Sequence, residues 1–206
     1  MLRATLLVST ALICAAGITA CERSAPRQPA ALKDQNAGPQ PGAQGSDKFS
    51  LIEAATAEIA ATSDRQVKGT ARFAPDTGQN QIKIELSLSG LTPGLHGLHI
   101  HTHPDCGDNG RAAGPHFNPH GEEHGAPNSE RQHVGDLGNI EADAEGKVNT
   151  VITSRKLAFS GPNNVLHHTV VIHANEDDLH SQPSGNAGDR IACGIIRPAQ
   201  DILANQ

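Results

Sequence analysis

Twelve of the 206 residues are histidines, and their spacing points to metal chemistry. His99-Ile100-His101 sets two imidazoles two residues apart, so that in a strand both leave one face and can grip one ion. His116, His124, His133 and Asp136 follow, and His173 closes the run Val170-Val171-Ile172-His173. Imidazole suits zinc and copper, and a carboxylate completing three imidazoles suits tetrahedral zinc. That makes seven candidate ligands, six imidazoles and one carboxylate.

Ligands this far apart in sequence need a rigid frame to bring them together. Short apolar–polar alternations recur at Ala57 to Ala61, Val67 to Phe73, Ile82 to Leu88, Leu98 to His101, Leu137 to Glu141, Val148 to Ile152, Thr169 to His173 and Ile191 to Ile196. Ile82, Ile84, Leu86 and Leu88 keep a strict period of two, which buries one face and wets the other, as in antiparallel sheets. The pattern predicts an all-β sandwich or barrel. Only Phe49 to Ala61 competes as a helix by propensity. Thr102 to His133 breaks the pattern, with five Gly, four Pro, five His and few apolar residues in 32 positions. A loop of that length is functional or disordered, and its histidines favour function.

Composition narrows the class further. Apolar residues make up 36%, with four Phe and no Trp or Tyr, so the core is built from Val, Ile, Leu and Ala. Net charge is -6, and no basic patch interleaved with aromatics occurs, which argues against nucleic-acid binding. Met1 to Ala20 has a basic start at Arg3, an apolar stretch and small residues before Cys21, and reads as an export signal. Ile18-Thr19-Ala20-Cys21 resembles a bacterial lipobox, in which Cys21 would be acylated and anchor the chain to a membrane through lipid alone; the alternative is a plain signal cut near Ala20. Residues 22–48, rich in Pro, Gln, Ala and Gly, read as a flexible tether, with the folded domain over residues 49–206.

Four motifs in order carry a family resemblance. They are Gly94-Leu95-His96-Gly97-Leu98-His99-Ile100-His101, Gly114-Pro115-His116-Phe117-Asn118-Pro119, His133-Val134-Gly135-Asp136-Leu137-Gly138-Asn139, and Gly185-Asn186-Ala187-Gly188-Asp189-Arg190-Ile191-Ala192-Cys193-Gly194. From about Ala57 to Pro198 the chain resembles the copper/zinc superoxide dismutases. The resemblance implies an eight-stranded Greek-key β-sandwich or barrel with long metal-binding loops. It implies copper on His99, His101, His116 and His173, and zinc on His116, His124, His133 and Asp136, with His116 bridging the two. Asp177 would link His99 to His124, His96 would support backbone, and Arg190 would steer and hydrogen-bond the superoxide anion. The family also pairs cysteines at the positions of Cys106 and Cys193, the two that remain once Cys14 is assigned to the signal and Cys21 to acylation. His103, His120, His167, His168 and His180 match no ligand position and default to surface or loop.

The implied reaction dismutates superoxide to dioxygen and hydrogen peroxide, with His116 acting as proton carrier, in a homodimer of the periplasm or cell envelope. Two departures from the common eukaryotic pattern stand out. Residues 174–189 form a short loop without Lys or Arg, so steering rests on Arg190, or also on Arg111 and Arg131. His101 and Cys106 are spaced as in bacterial members while Gly114 to Pro119 reads as eukaryotic, which leaves the dimer contacts open. Two rival readings are a non-catalytic periplasmic copper/zinc-binding module on the same fold and a structural β-sandwich. The first would be expected to lack copper ligands or the arginine, and the second leaves the histidine spacing unexplained.

Overall fold

The structure, a computed structural model, describes residues 53–199. The segment with Cys14, Cys21 and the tether lies outside these residues, as does the start of the Phe49–Ala61 stretch. The strands are β1 (Ala55–Ala61), β2 (Lys68–Asp76), β3 (Gln81–Ser89), β4 (Gly94–His101), β5 (Asp136–Ala142), β6 (Val148–Ser154), β7 (Thr169–His173), β8 (Arg190–Ile195) and the two-residue β9 (Arg197–Pro198). Each of the eight expected alternations falls on one of β1 to β8, and β9 is an addition that pairs with β1. No helix among the described residues is long and apolar enough to cross a membrane.

The strands run antiparallel in the order β5-β4-β7-β8-β1-β2-β3-β6, forming a nearly closed barrel. The connections β3 to β4 and β6 to β7 cross between distant parts of this path, the Greek-key pattern. The period-two reading of β3 holds, with Ile82, Ile84, Leu86 and Leu88 all buried. Ile84 sits opposite Phe73 on β2 and Ile152 on β6, so a core of branched aliphatics closes around one fully buried phenyl ring. The possible helix over Phe49–Ala61 is not formed at Ala55–Ala61. There Ala55, Ala57 and Ile59 point inward and alternate with Glu58 and Ala60, and pairing with β2 and β8 overrides local propensity.

Strand β7 and β4 from His96 onward are buried on both faces, and this creates the place for a site. Leu98, Ile100, Val170 and Ile172 face the core. The opposite faces, carrying His99, His101, Val171 and His173, are covered by loops 102–135 and 174–189. Loop 102–135 is ordered by backbone pairing with β4: Phe117 N donates to Ile100 O at 2.8 Å, Ile100 N to Gly135 O at 2.9 Å, and Gly135 N to Phe117 O at 2.9 Å. A Cβ on Gly135 would lie 2.3 Å from Ile100 O, so only glycine lets the loop approach this closely. Cys106 and Cys193 form a disulfide across 87 residues, with Cα atoms 6.0 Å apart, and pack with Ala113 and Val171. In the chain-entropy picture such a closure contributes about 4 to 5 kcal/mol.

Candidate metal centre

His99 and His101 leave the outer face of β4, His173 ends β7, and Asp136 begins β5 opposite His99. Loop 102–135 folds back to deliver His116, His124 and His133. All seven side chains are buried. They form two groups, His99–His101–His116–His173 and His116–His124–His133–Asp136, in each of which the potential ligand atoms lie within 4.8 Å of one another. His116 belongs to both.

In the first group each ring spends one nitrogen on the protein and leaves the other free. His101 Nδ1 donates to Gly114 O at 2.8 Å and His173 Nδ1 to Gly188 O at 3.1 Å. Their Nε2 atoms, left as lone pairs, then face each other at 3.4 Å, an arrangement that calls for a cation between them. His99 donates Nε2 to Asp177 Oδ2 at 2.7 Å, and its buried Nδ1 has no partner. His116 donates Nδ1 to Asp136 Oδ1 at 2.8 Å, while its Nε2, turned toward the first group, is also buried and unpartnered. Asp136 Oδ1 further lies 3.1 Å from both His124 Nδ1 and His133 Nδ1, and its Oδ2 accepts from the backbone of His133 and Gly125. These orphaned nitrogens and the carboxylate among three imidazoles fit two cations, one in an all-imidazole setting and one in a tetrahedral His3Asp setting.

The electrostatics separate the two groups. Burial pushes His116 down to about 4 and, together with His99, His173 down to about 3, and burial holds His101 well below its usual value, so these rings present lone pairs. Burial also opposes charge on His124, but the hydrogen bonds its ring donates to Asp136 and Asp177, with their negative charge, outweigh it and raise the ring to about 9. Asp136 and Asp177 are held far below the usual carboxylate range, because hydrogen bonds from the histidines outweigh desolvation.

Asp177 joins the groups through a second route, with Oδ2 on His99 and Oδ1 on His124 at 2.9 Å. Its backbone is held in turn by Asn139, whose amide donates to Asp177 O and accepts from Asp177 N, both at 2.8 Å. His96 binds His173 O through Nδ1 and Thr92 O through Nε2, both at 2.8 Å, and so fixes the backbone beside the first group. A cavity of about 720 Å³ opens over His101, His116 and His173, with Arg190 on its wall. Arg190 donates to Gly110 O and Gly114 O at 2.7 Å and, at 3.3 Å, to Arg111 O. It makes no ion pair with Asp189 among the described residues.

Arg111 lies 3.4 Å from Asp108, and Arg131 lies 3.6 Å from Glu123; neither lines the cavity. Of the five remaining histidines, His103, His120, His167 and His180 are exposed. His168 lies in the loop before β7, where, half-buried, it stacks on Phe117 and binds Thr102 O at 2.7 Å. Asn139, which holds Asp177 in place, closes the third motif, whereas Gln182, which holds His124, carries no signal of its own in the sequence.

Residues 67–196 match the family described as copper/zinc superoxide dismutase. The chain belongs to the copper/zinc superoxide dismutase family. It is 41% identical over 156 residues to an extracellular superoxide dismutase [Cu-Zn] of Brugia pahangi, covering 71% of this chain and 77% of the relative. A solved structure titled for the clock protein EA4 superposes with a TM-score of 0.67 at 31% identity, covering 73% of this chain and 97% of that one. As a copper/zinc superoxide dismutase, the protein is an oxidoreductase that converts superoxide to dioxygen and hydrogen peroxide with copper and zinc as cofactors. The two buried histidine-rich groups suit those two metals.

Proposed function

We propose that His99, His101, His116 and His173 hold the copper, that His116, His124, His133 and Asp136 hold the zinc, and that His116 bridges them. The observation that carries this reading is His116 itself, whose Nδ1 faces Asp136 while its buried Nε2 faces the all-imidazole group without a partner. Copper supplies the one-electron exchange with superoxide, and zinc supplies fixed charge and no redox chemistry.

The chain's own residues do the rest. Two superoxide anions and two protons give one dioxygen and one hydrogen peroxide. Arg190 offers a guanidinium at the cavity wall that attracts the anion and orients it by hydrogen bonding. His116 Nε2 takes up a proton between the two half-reactions and passes it to the peroxide. Asp177 fixes the tautomers of His99 and His124, so that each keeps Nδ1 free toward its metal. Without Lys or Arg in residues 174–189, attraction rests chiefly on Arg190.

The protein acts outside the cytoplasm, in a bacterial periplasm or cell envelope. Residues 1–20 serve as signal peptide, Cys21 as acylation site, residues 22–48 as tether, and residues 49–206 as a homodimeric catalytic domain. The export pattern of Met1 to Ala20, the disulfide and the extracellular relative support this placement. Elemental analysis of single variants tests the metal assignment. His101→Ala is expected to lose copper and keep zinc, and His124→Ala to lose zinc preferentially; the reverse pattern would overturn it.

A further inference from the structure

Loop 174–189 leaves β7 at His173 and returns at Arg190, touching both metal groups while supplying a ligand to neither. Asp177 makes one tie to His124, through the ring. A second tie runs through the backbone. Gln182 Oε1 accepts from His124 N at 2.9 Å, and Gln182 Nε2 donates to His124 O at 2.9 Å. A carboxamide matched in both directions to one residue's backbone reproduces the pairing between strands and fixes that residue's rotation as well as its position. Gln182 Nε2 also donates to His180 O at 3.2 Å, which ties the amide to its own loop.

The loop around Gln182 is knotted internally. Asp178 accepts from the backbone of His180 and Ser181 and from the Asn186 amide, Asp178 N donates to Gly185 O at 2.9 Å, and Gly185 N donates to Ser181 O at 2.7 Å. Pro183 and Ser184, next in sequence, line the cavity over His101, His116 and His173. A displacement of His124's backbone is thus passed through one amide to the cavity wall.

We propose that Gln182 is a positioning residue that couples metal occupancy of the His116–His124–His133–Asp136 group to the wall of the cavity above the other group. The inference rests on the assignment of zinc to the first of these. With zinc held by this group the His124 ring would be fixed, and Gln182 would pass that constraint to Pro183 and Ser184 on the cavity wall. Asp177 makes a different tie: its carboxylate contacts the ring of His124 and leaves that residue's backbone to Gln182.

Hydrogen exchange of the full, copper-loaded chain with zinc added or withheld tests the coupling. In the wild type, zinc should slow the amides of Asp178 and Gly185 in loop 174–189, and also those of Gly125 and His133, which bond to Asp136. In Gln182→Ala, zinc should still slow Gly125 and His133, but its effect on Asp178 and Gly185 should be lost. Zinc retention against a chelator should fall about tenfold. Gln182→Glu, which keeps the acceptor but sets a carboxylate against the His124 carbonyl, should behave alike and covers the case in which the alanine variant does not fold. Wild-type slowing at Asp178 and Gly185 in both variants would overturn the inference. So would a wild-type zinc effect confined to Gly125 and His133. No zinc effect at Gly125 and His133 in the wild type would overturn the metal assignment, and the inference with it.

Discussion

His101 and Arg190 donate to the same carbonyl oxygen, that of Gly114, at 2.8 and 2.7 Å. One acceptor thereby sets the free nitrogen of an imidazole in the all-imidazole group and anchors the charge on the wall of the cavity above it. Arg190 is also the cross-strand partner of His173, at an irregularity in the β7–β8 ladder. The arginine is thus placed by two strands and a loop, and its guanidinium does not depend on a flexible surface rotamer.

Arg190→Ala is expected to lower the second-order rate with superoxide by about tenfold or more at low ionic strength, with copper and zinc content unchanged. Arg190→Lys should recover only part of the rate, since a point charge cannot hold the forked contacts to Gly110 and Gly114. Rate measurements on metal-quantified samples check both. An alanine variant with the wild-type rate would remove Arg190 from the account.

Asp177→Asn should weaken zinc retention by about 10- to 100-fold, because the carboxylate that orients His124 becomes a neutral amide able to accept on one side only. Gly185→Ala should produce a similar loss. Its Cβ would fall 1.8 Å from Asp177 Oδ1, at a φ of +66° that disfavours a side chain. Competition against a chromophoric zinc chelator reads both variants.

Opening the Cys106–Cys193 disulfide, by reduction or by paired serine substitution, should cost about 2 to 5 kcal/mol of stability. Because Gly110, Arg111 and Gly114 lie in the loop this bond secures, the superoxide rate should also fall under conditions where the protein stays folded. Thermal unfolding and rate measurements on the same samples separate the two effects.

The metal-free protein should show a stability maximum near pH 6.5. His116 and His173, pushed down to about 4 and 3, bind fewer protons folded than unfolded below 6.5, so their contribution is lost as pH falls from 6.5 toward those values. His124, raised to about 9, binds more protons folded than unfolded above 6.5, so its contribution is lost as pH rises through 9. Each shifted group carries a slope of about 1.4 kcal/mol per pH unit within its window. Denaturant unfolding of chelator-treated protein between pH 4 and 9 measures the profile, and a flat profile would contradict the assigned environments.

How much was legible beforehand depended on whether a residue's role repeats with a period or sits in a motif. The Ile82–Leu88 alternation shows in sequence because only one face of β3 is buried, and His99 and His101 show because period two puts both on the face opposite Leu98 and Ile100. Strand β1 was ambiguous because an Ala-rich segment has little β preference; its pairing with β2, β8 and β9 decides. The two-residue β9 is too short to carry a period. Gln182 left no trace, since a side chain that binds backbone 58 residues away follows no periodicity. The loop placement of His168 is legible, but its stacking on Phe117 is not, because that contact depends on a loop path that local sequence does not encode.

On the proposed assignment this dismutase draws its substrate in through Arg190. The most direct test is the rate of superoxide decay catalysed by the copper- and zinc-loaded protein, followed from low to high ionic strength. A rate near the diffusion limit that falls as salt rises is the predicted result. A fast rate indifferent to salt would contradict the steering role, and a rate no greater than that of free copper would contradict the enzyme itself.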